Sequence, residues 1–493
     1  MRWHRTLIFM KVLCPALFIT GIVLMLLATL MLLPVTLLFW MEAPDWQSFV
    51  ISAVITFLVG LLLAQGFRKC ASSGGFQTRQ LFLITIISWV SVSVFSALPF
   101  VLCVDYFSIT DGFFESVSGI TTTGSTILIN LDTVPRDILL WRSLLQWVGG
   151  IGIVGMAIAV LPFLHVGGMR LFKTESSDWY EKSHPRARDA ARDLVLVYLL
   201  LSALCTACYL LAGMPLFDAI NHAMTTISTG GYSTSDASLG HYRSPLIYWI
   251  AIFFMLLGSV PFLLHRRFLS GFNPKAYKDY QVMGLLLILA VVSSLLAFYL
   301  ISVNHYAPVE SITMAVFNVA SIITTTGYAN TDYNAWGSFA VVLFFFITFV
   351  GGCSGSTSGG MKIFRFQLSY MLLREQIMKY VHPRVVLTRY YNGRKVDDDI
   401  ITSAVAFTYI YLVTLAVITL LLAVQGLDMT TSISGAATAL ANVGPGLGNT
   451  IGPAGTFQTL PDAAKWVLSA GMLLGRLELL TVAVVFSRQF WNP

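Results

Sequence analysis

Thr324-Thr325-Thr326-Gly327-Tyr328 is a short polar stretch between two long apolar segments, and its recurrence decides the fold. Thr121-Thr122-Thr123-Gly124-Ser125 and Ser228-Thr229-Gly230-Gly231-Tyr232 precede it, and Asn442-Val443-Gly444-Pro445 follows it. One Thr-Thr-Gly alone is an ordinary polar turn. Four copies in the same hydropathy context read as four quarters of one ion-selectivity filter on a single chain. A cation crossing a narrow pore loses water and needs oxygens in its place, which rings of backbone carbonyls supply. Aiming successive carbonyls at one axis requires dihedrals that glycine adopts at little steric cost, and threonine adds a hydroxyl ligand. The candidate ion-binding residues are therefore Thr122, Thr123, Gly124, Thr229, Gly230, Gly231, Thr325, Thr326, Gly327, Asn442, Val443 and Gly444.

Composition agrees with a pore. Of 493 residues 56% are hydrophobic and 11% charged, whereas a soluble domain carries about a quarter charged residues. The chain reads as an all-α polytopic membrane protein. Its net charge of +6 is spread over separate loops and forms no RNP, zinc-finger or basic-helix pattern, so no nucleic-acid partner is expected. Cysteines 14, 70, 103, 205, 208 and 353 are scattered and imply no disulfide framework. Cys205 and Cys208 have no histidine or acid beside them and read as packing residues. Residues 1–40 begin with Arg2, Arg5 and Lys11 and run apolar to Trp40. That run is longer than a signal-peptide core and reads as a retained transmembrane anchor.

Hydropathy predicts ten spans, near 12–40, 49–66, 81–103, 138–163, 193–213, 246–264, 282–303, 337–361, 399–424 and 464–487. Two N-terminal transmembrane helices (1–80) precede four helix–pore loop–helix repeats, at 81–165, 193–265, 282–362 and 399–493. The repeats are expected to be pseudo-symmetric around one pore. The connecting loops 166–192, 266–281 and 363–398 hold most of the Lys and Arg residues, and Arg68, Lys69 and Arg79 occupy an earlier one. The positive-inside rule makes these loops and both termini cytoplasmic. Glu42, Asp45, Asp105, Asp111, Glu310 and Asp428 fall in the other loops, so the outer face is acidic.

Before each polar loop lies a stretch too short to cross the bilayer: Asp111–Ile120, Phe217–Ile227, Val309–Ile322 and Asp428–Ala441. Each opens with an acid, namely Asp111, Asp218, Glu310 or Asp428. An acid there caps a helix and offsets the positive end of its dipole, leaving the negative end aimed at the loop. The same acids are expected to draw cations into an outer vestibule, or else are simply exposed loop residues. Irregular backbone at membrane depth is tolerated only where it lines water or is buried in protein, so each insertion reads as re-entrant.

A second unusual stretch is Gly351-Gly352-Cys353-Ser354-Gly355-Ser356-Thr357-Ser358-Gly359-Gly360, which ends an apolar run too short to span unaided. Such a sequence is a poor helix. It reads as an intramembrane gate beneath the filter, formed by Gly351, Gly352, Ser354, Gly355, Ser356, Thr357, Gly359 and Gly360. The bland alternative is a close-packing contact of small residues. Arg476, inside the last span, is a charge that needs a cavity or a partner. It is expected to bond the carbonyls of 351–360, to set a barrier to cations, or to pair with Glu478. Arg142 is the weaker case, near the outer end of its helix. Gly150-Ile151-Gly152-Ile153-Val154-Gly155 matches a dinucleotide-binding pattern but follows no strand, so helix packing is the better reading.

Taken together, the Thr-Thr-Gly loops, the 351–360 stretch, Gly475-Arg476-Leu477-Glu478, Val381-His382-Pro383-Arg384 and Ala441-Asn442-Val443-Gly444-Pro445-Gly446-Leu447-Gly448 resemble the Trk/Ktr/HKT superfamily of cation transporters, most of all its bacterial Trk potassium-uptake membrane subunit. The resemblance covers residues 80–493 by motif and the first 80 by hydropathy. It implies potassium (K+) as the transported ion, bound at the filter residues, with no organic cofactor on this chain. It implies the gate and Arg476 roles named above and location in the bacterial inner membrane. It also implies a homodimer, and a cytosolic TrkA-like regulatory subunit that binds ATP or ADP and NAD(H). Retention of Gly124, where related sodium-selective proteins carry serine, implies potassium selectivity. The second loop, Ser228-Thr229-Gly230-Gly231-Tyr232, lacks the apolar residue that the family pattern puts before the glycines, the first ends in Ser125, and the loop 173–192 also departs from the pattern. A secondary potassium symporter coupled to H+ or Na+ is the alternative, with broken helices binding the ion at the midplane. A membrane enzyme has no support, since no H-E-x-x-H, P-loop or nucleophile elbow is present.

Overall fold

The computed structural model describes residues 2–38, 46–70, 77–159 and 187–491. Most of the basic loop 166–192 therefore lies outside the described residues. The fold is helical apart from a two-residue antiparallel hairpin, β1 (Tyr390–Tyr391) with β2 (Arg394–Lys395). Among the described residues seven helices are long and apolar enough to cross a bilayer, and two bent pairs raise the number to nine. This is a multi-pass membrane protein. The expected span 337–361 is a helix of only ten residues, Ser338–Ile347, followed by non-helical backbone through residue 362.

The helices in chain order are α1 (Arg2–Leu38), α2 (Trp46–Gly66), α3 (Thr78–Ser96), α4 (Leu98–Cys103), α5 (Ile109–Ile120), α6 (Arg136–Ala159), α7 (Ala187–Leu211), α8 (Leu216–Ile227), α9 (Pro245–Ser259) and α10 (Phe262–Gly271). There follow α11 (Tyr280–Ser302), α12 (Pro308–Ile323), α13 (Ser338–Ile347), α14 (Ile363–Val381), α15 (Asp398–Ala423), α16 (Met429–Ala441), α17 (Gly448–Ile451), α18 (Asp462–Arg476), α19 (Leu479–Phe486) and α20 (Arg488–Trp491). The N-terminal pair α1 and α2 cross where two glycines meet: a Cβ on Gly21 would lie 2.7 Å from the Gly60 carbonyl oxygen. Small residues permit that approach without polar contacts. Cys14 is disulfide-bonded, which the cysteine spacing did not imply, whereas Cys205, Cys208 and Cys353 are free thiols.

The four short helices are α5, α8, α12 and α16, close to the expected bounds. Two acids cap as expected. Asp111 and Ser108 form a reciprocal box at the start of α5, and Asp428 accepts the Thr431 N–H at 3.0 Å. The other two do not cap. Asp218 lies in the first turn of α8 and accepts the Thr234 hydroxyl at 2.7 Å, while α12 begins on Pro308 with Glu310 in its first turn. Proline suits that position because its missing N–H would be unpaired there anyway.

Three of the short helices pack on a long helix of another unit: α8 on α6, α12 on α9, and α5 on α18. The long helices that follow the loops are broken in three units, not only in the third. Between α9 and α10 the chain bends by 100°, and between α18 and α19 by 105°. Pro261 explains the first bend, since a proline cannot donate to the preceding turn. The freed oxygens of Gly258 and Ser259 accept N–H groups from Thr357 and Cys353 instead, at 3.2 and 2.9 Å. At the second bend Glu478 adopts φ +64°.

The expected cytoplasmic loop 363–398 is ordered. It forms α14 and the hairpin, which bury Phe364, Leu368, Tyr391 and Val396 against the start of α15. Arg389 ties them together through ion pairs to Glu375 and Asp398.

Candidate functional site

The four polar loops share one backbone design. Thr122, Thr229, Thr325 and Asn442 have φ between +51° and +60°. Two residues later Gly124, Gly231, Gly327 and Gly444 have φ between +78° and +105°, while the residue between them stays on the negative side. An ordinary strand points successive carbonyls to opposite sides. Alternating handed dihedrals bring them to the same side. The middle residue of each loop is pinned in the same way. Thr123, Gly230, Thr326 and Val443 donate to the carbonyls of Ser118, Thr225, Ser321 and Thr438, at 2.8–3.1 Å. The recurring hydroxyl residue at that helix position was visible in the sequence and went unused.

The loops close into a ring. A Cβ on Gly124 would strike the Gly230 carbonyl, one on Gly231 that of Thr326, and one on Gly327 that of Val443. A Cβ on Gly444 would lie 2.8 Å from the Thr123 oxygen. The order is thus first, second, third, fourth and back to the first. All twelve predicted residues belong to the ring.

Above the ring a cavity of 270 Å³ reaches all four glycines and is lined by Ser125, Ser233 and Asp236 among others. None of the four helix-start acids lines it. Asp111 is instead paired with Lys465 at 2.7 Å. The exposed acid on the wall is Asp236, which the sequence analysis did not single out.

Below the ring sits the 351–360 stretch, seated against the ring itself. Gly359 N–H donates to the Thr325 hydroxyl at 2.7 Å, and Gly360 N–H to the Ala441 carbonyl at 2.9 Å. The Thr357 hydroxyl lies 3.2 Å from that of Thr229 and contacts the Ile227 and Gly258 oxygens. Ser354 N–H donates to Gln281 Oε1 at 2.9 Å, and Ser356 Oγ to the Cys353 carbonyl. A Cβ on Gly352 would crowd Ser259 and Ser358, and Gly351 and Gly355 have φ +68° and +78°. The loop is thus tied to its surroundings by hydrogen bonds.

Arg476 is buried and donates to the Thr357 carbonyl at 2.8 Å and, more weakly, to that of Gly149 at 3.4 Å. The suggested pairing with Glu478 is not formed. Glu478 instead takes Arg365 at 2.6 Å, and the Arg365 guanidinium lies 3.6 Å from the centre of the Phe407 ring. Reversal of the chain at the α18–α19 bend points the two neighbours to different partners.

A family model described as "TrkH: Cation transport protein" matches residues 45–492. The chain belongs to the TrkH family. The Trk system potassium uptake protein TrkI of Halomonas elongata is 48% identical over 480 residues, covering 97% of each chain. The TrkH proteins of Salmonella typhimurium and Escherichia coli K12 are each 35% identical, over 96% of this chain and 98% of theirs. The crystal structure of the potassium transporter TrkH from Vibrio parahaemolyticus superposes with a TM-score of 0.89 at 34% identity, covering 98% of this chain and all of that one.

In this TrkH-family chain the ring is buttressed from behind by α6. Arg142 is buried, not a peripheral charge. Its Nε donates to Glu115 at 2.8 Å and a terminal nitrogen to Thr126 Oγ1 at 2.9 Å; the other lies 3.3 Å from the Ser233 carbonyl. One turn on, Gln146 donates to the Gly230 carbonyl at 2.6 Å and accepts the Tyr232 N–H at 3.1 Å. Spacing of i and i+4 places both on one helix face. A polar pair in an apolar run was the available signal. The nucleotide-like glycine pattern at 150–155 lies within α6, as expected of helix packing, although the closest backbone approach belongs to Gly149, against the Ile120 carbonyl.

Proposed function

We propose that this protein takes up potassium across the bacterial inner membrane through a gated pore. The ring of four loops is its selectivity filter, 351–360 with Arg476 is its gate, and the four units are pseudo-symmetric repeats. The observation that carries this reading is the cavity that opens on all four ring glycines, whose backbone alternates in handedness. Carbonyls brought to one side at membrane depth replace a hydration shell. The loop beneath the ring supports the gate, because it must move before an ion can pass. That the relatives are potassium uptake proteins of a Trk system supports potassium as the ion.

The acidic outer loops and basic inner ones support a cytoplasmic location for both termini. Exposed Arg374, Arg384 and Lys395 give the cytoplasmic face a basic surface. A TrkA-like subunit binding ATP or ADP and NAD(H) docks there, and two copies of the chain form a homodimer with a pore in each.

The test is ion flux in liposomes, comparing potassium, rubidium, sodium and lithium. Potassium and rubidium are expected to pass preferentially. A reversal potential that follows potassium alone separates the pore from a symporter coupled to H+ or Na+. Gly327→Ser is expected to cut potassium-over-sodium discrimination by about tenfold, because its side chain meets the Val443 carbonyl and Pro445 at φ +82°, where a non-glycine residue is strained by about 1–3 kcal/mol. An unchanged ion ratio in a folded Gly327→Ser protein would sink the filter assignment.

A further inference from the structure

We propose that Tyr232 and Tyr328 are positioning residues whose hydroxyls staple two of the four seams between neighbouring filter loops. The proposal rests on the filter reading above and concerns what sets the ring's width.

Each tyrosine follows its loop glycine directly and is buried, at 2% and 0% exposure. Each reaches across a seam to the short helix of the preceding unit. The Tyr232 hydroxyl lies 3.0 Å from the Glu115 carbonyl oxygen and 3.2 Å from that of Ser125. The Tyr328 hydroxyl lies 3.1 Å from the His222 carbonyl oxygen, 2.5 Å from Thr225 Oγ1 and 3.2 Å from Thr226 Oγ1. Glu115 and His222 stand at the same offset before Gly124 and Gly231, so the two staples are one device used twice. Their backbones are fixed as well: Gln146 accepts the Tyr232 N–H, and Ser321 donates to the Tyr328 carbonyl at 2.7 Å.

The remaining seams lack the device. Ser125 takes the tyrosine's place in the first loop; its short hydroxyl donates to the Gly444 carbonyl of the fourth loop at 2.9 Å, and Asn442 Nδ2 donates to Thr123 Oγ1 at 2.9 Å across the same seam, loop to loop with no reach to a neighbouring helix. Pro445 takes it in the fourth loop and offers no donor. A rigid tether from loop to neighbouring helix resists both contraction and expansion of the ring. Discrimination between ions that differ mainly in radius needs that resistance, because a compliant ring adapts to either ion. Removing a hydroxyl while keeping the ring leaves packing intact and cuts only the tether.

The experiment compares Tyr232→Phe, Tyr328→Phe and the double variant in liposomes, reading the potassium-to-sodium flux ratio beside the thermal midpoint of the purified protein. Tyr333→Phe is the control, since Tyr333 is equally buried and stacks on Phe344. Each staple variant is expected to lower the ratio by about fivefold, the worth of one net hydrogen bond. The double variant is expected to lower it by roughly the product, because the seams are separate, and the control to leave it unchanged. Wild-type ratios in both staple variants, alongside a lowered ratio in Gly327→Ser, overturn the staples and leave the filter standing. A ratio insensitive to Gly327→Ser as well overturns both. A lowered ratio that tracks a lowered thermal midpoint in the control as much as in the staples reduces the tyrosines to ordinary core residues.

Discussion

Arg142→Met is expected to destabilise the protein by about 3–5 kcal/mol, because it leaves the Glu115 carboxylate buried without its cation. Neither side chain reaches solvent. Glu115 keeps hydrogen bonds from Thr126 and the Ile127 N–H, but a lone buried charge is far costlier than a lost contact. The two residues share a network and are not additive. The double variant Arg142→Met with Glu115→Gln, which removes both charges, is therefore expected to recover much of the loss. Thermal unfolding in detergent checks both. A single variant as stable as wild type would show that Glu115 finds another cation or a proton at no cost. Arg142 also touches the seam between the first two loops through Thr126, Ser233 and the Tyr232 ring. Any residual activity of Arg142→Met is thus expected to show a lowered potassium-to-sodium ratio.

Arg476→Ala is expected to raise ion flux by roughly tenfold to a hundredfold. The seated loop loses a charge-assisted hydrogen bond at Thr357, worth about 1.5–3 kcal/mol, and each 1.4 kcal/mol is tenfold in the equilibrium between seated and open loop. If the proposed ion path passes this loop, removing a buried positive charge beside it acts in the same direction, and Arg476→Lys separates the causes. Lysine keeps the charge but not the rigid fork that reaches both Thr357 and Gly149. Flux near that of Arg476→Ala would assign the closure to hydrogen bonding, and flux near wild type to charge. Wild-type flux in Arg476→Ala itself would remove Arg476 from the gate.

Much of this was legible in the chain because the determining interactions are local. The four loops are set by residues next to each other: a threonine or asparagine that takes a left-handed turn, a glycine that takes a second, and a carbonyl one helical turn back that receives the intervening N–H. The short helices preceding them follow from length and capping, as at Asp111 and Asp428. The glycine-rich stretch declared itself non-helical by composition. The break after α9 could also have been foreseen, since Pro261 lies inside an apolar run and a proline there frees oxygens wherever it occurs. The acids were misassigned in part because an acid near a helix start caps either from the boundary position itself, as Asp428 does, or reciprocally with a hydroxyl there, as Asp111 does with Ser108, whereas Pro215 and Ala307 hold that place in α8 and α12.

What the sequence by itself determined is the membrane class, the four polar loops and the non-helical 351–360 stretch, all fixed by hydropathy and by dihedral demands within a few residues. What only the tertiary structure decided is which distant groups meet. Arg476 turns to Thr357 rather than to Glu478 beside it, and Glu478 takes Arg365. Arg142 is buried on Glu115, and the tyrosines of two loops cross to the helix of the loop before. These partners are separated by long stretches of chain, and a hydrogen bond or ion pair depends on geometry at the scale of an ångström. Only the packing of the helices around the ring brings such atoms to that distance.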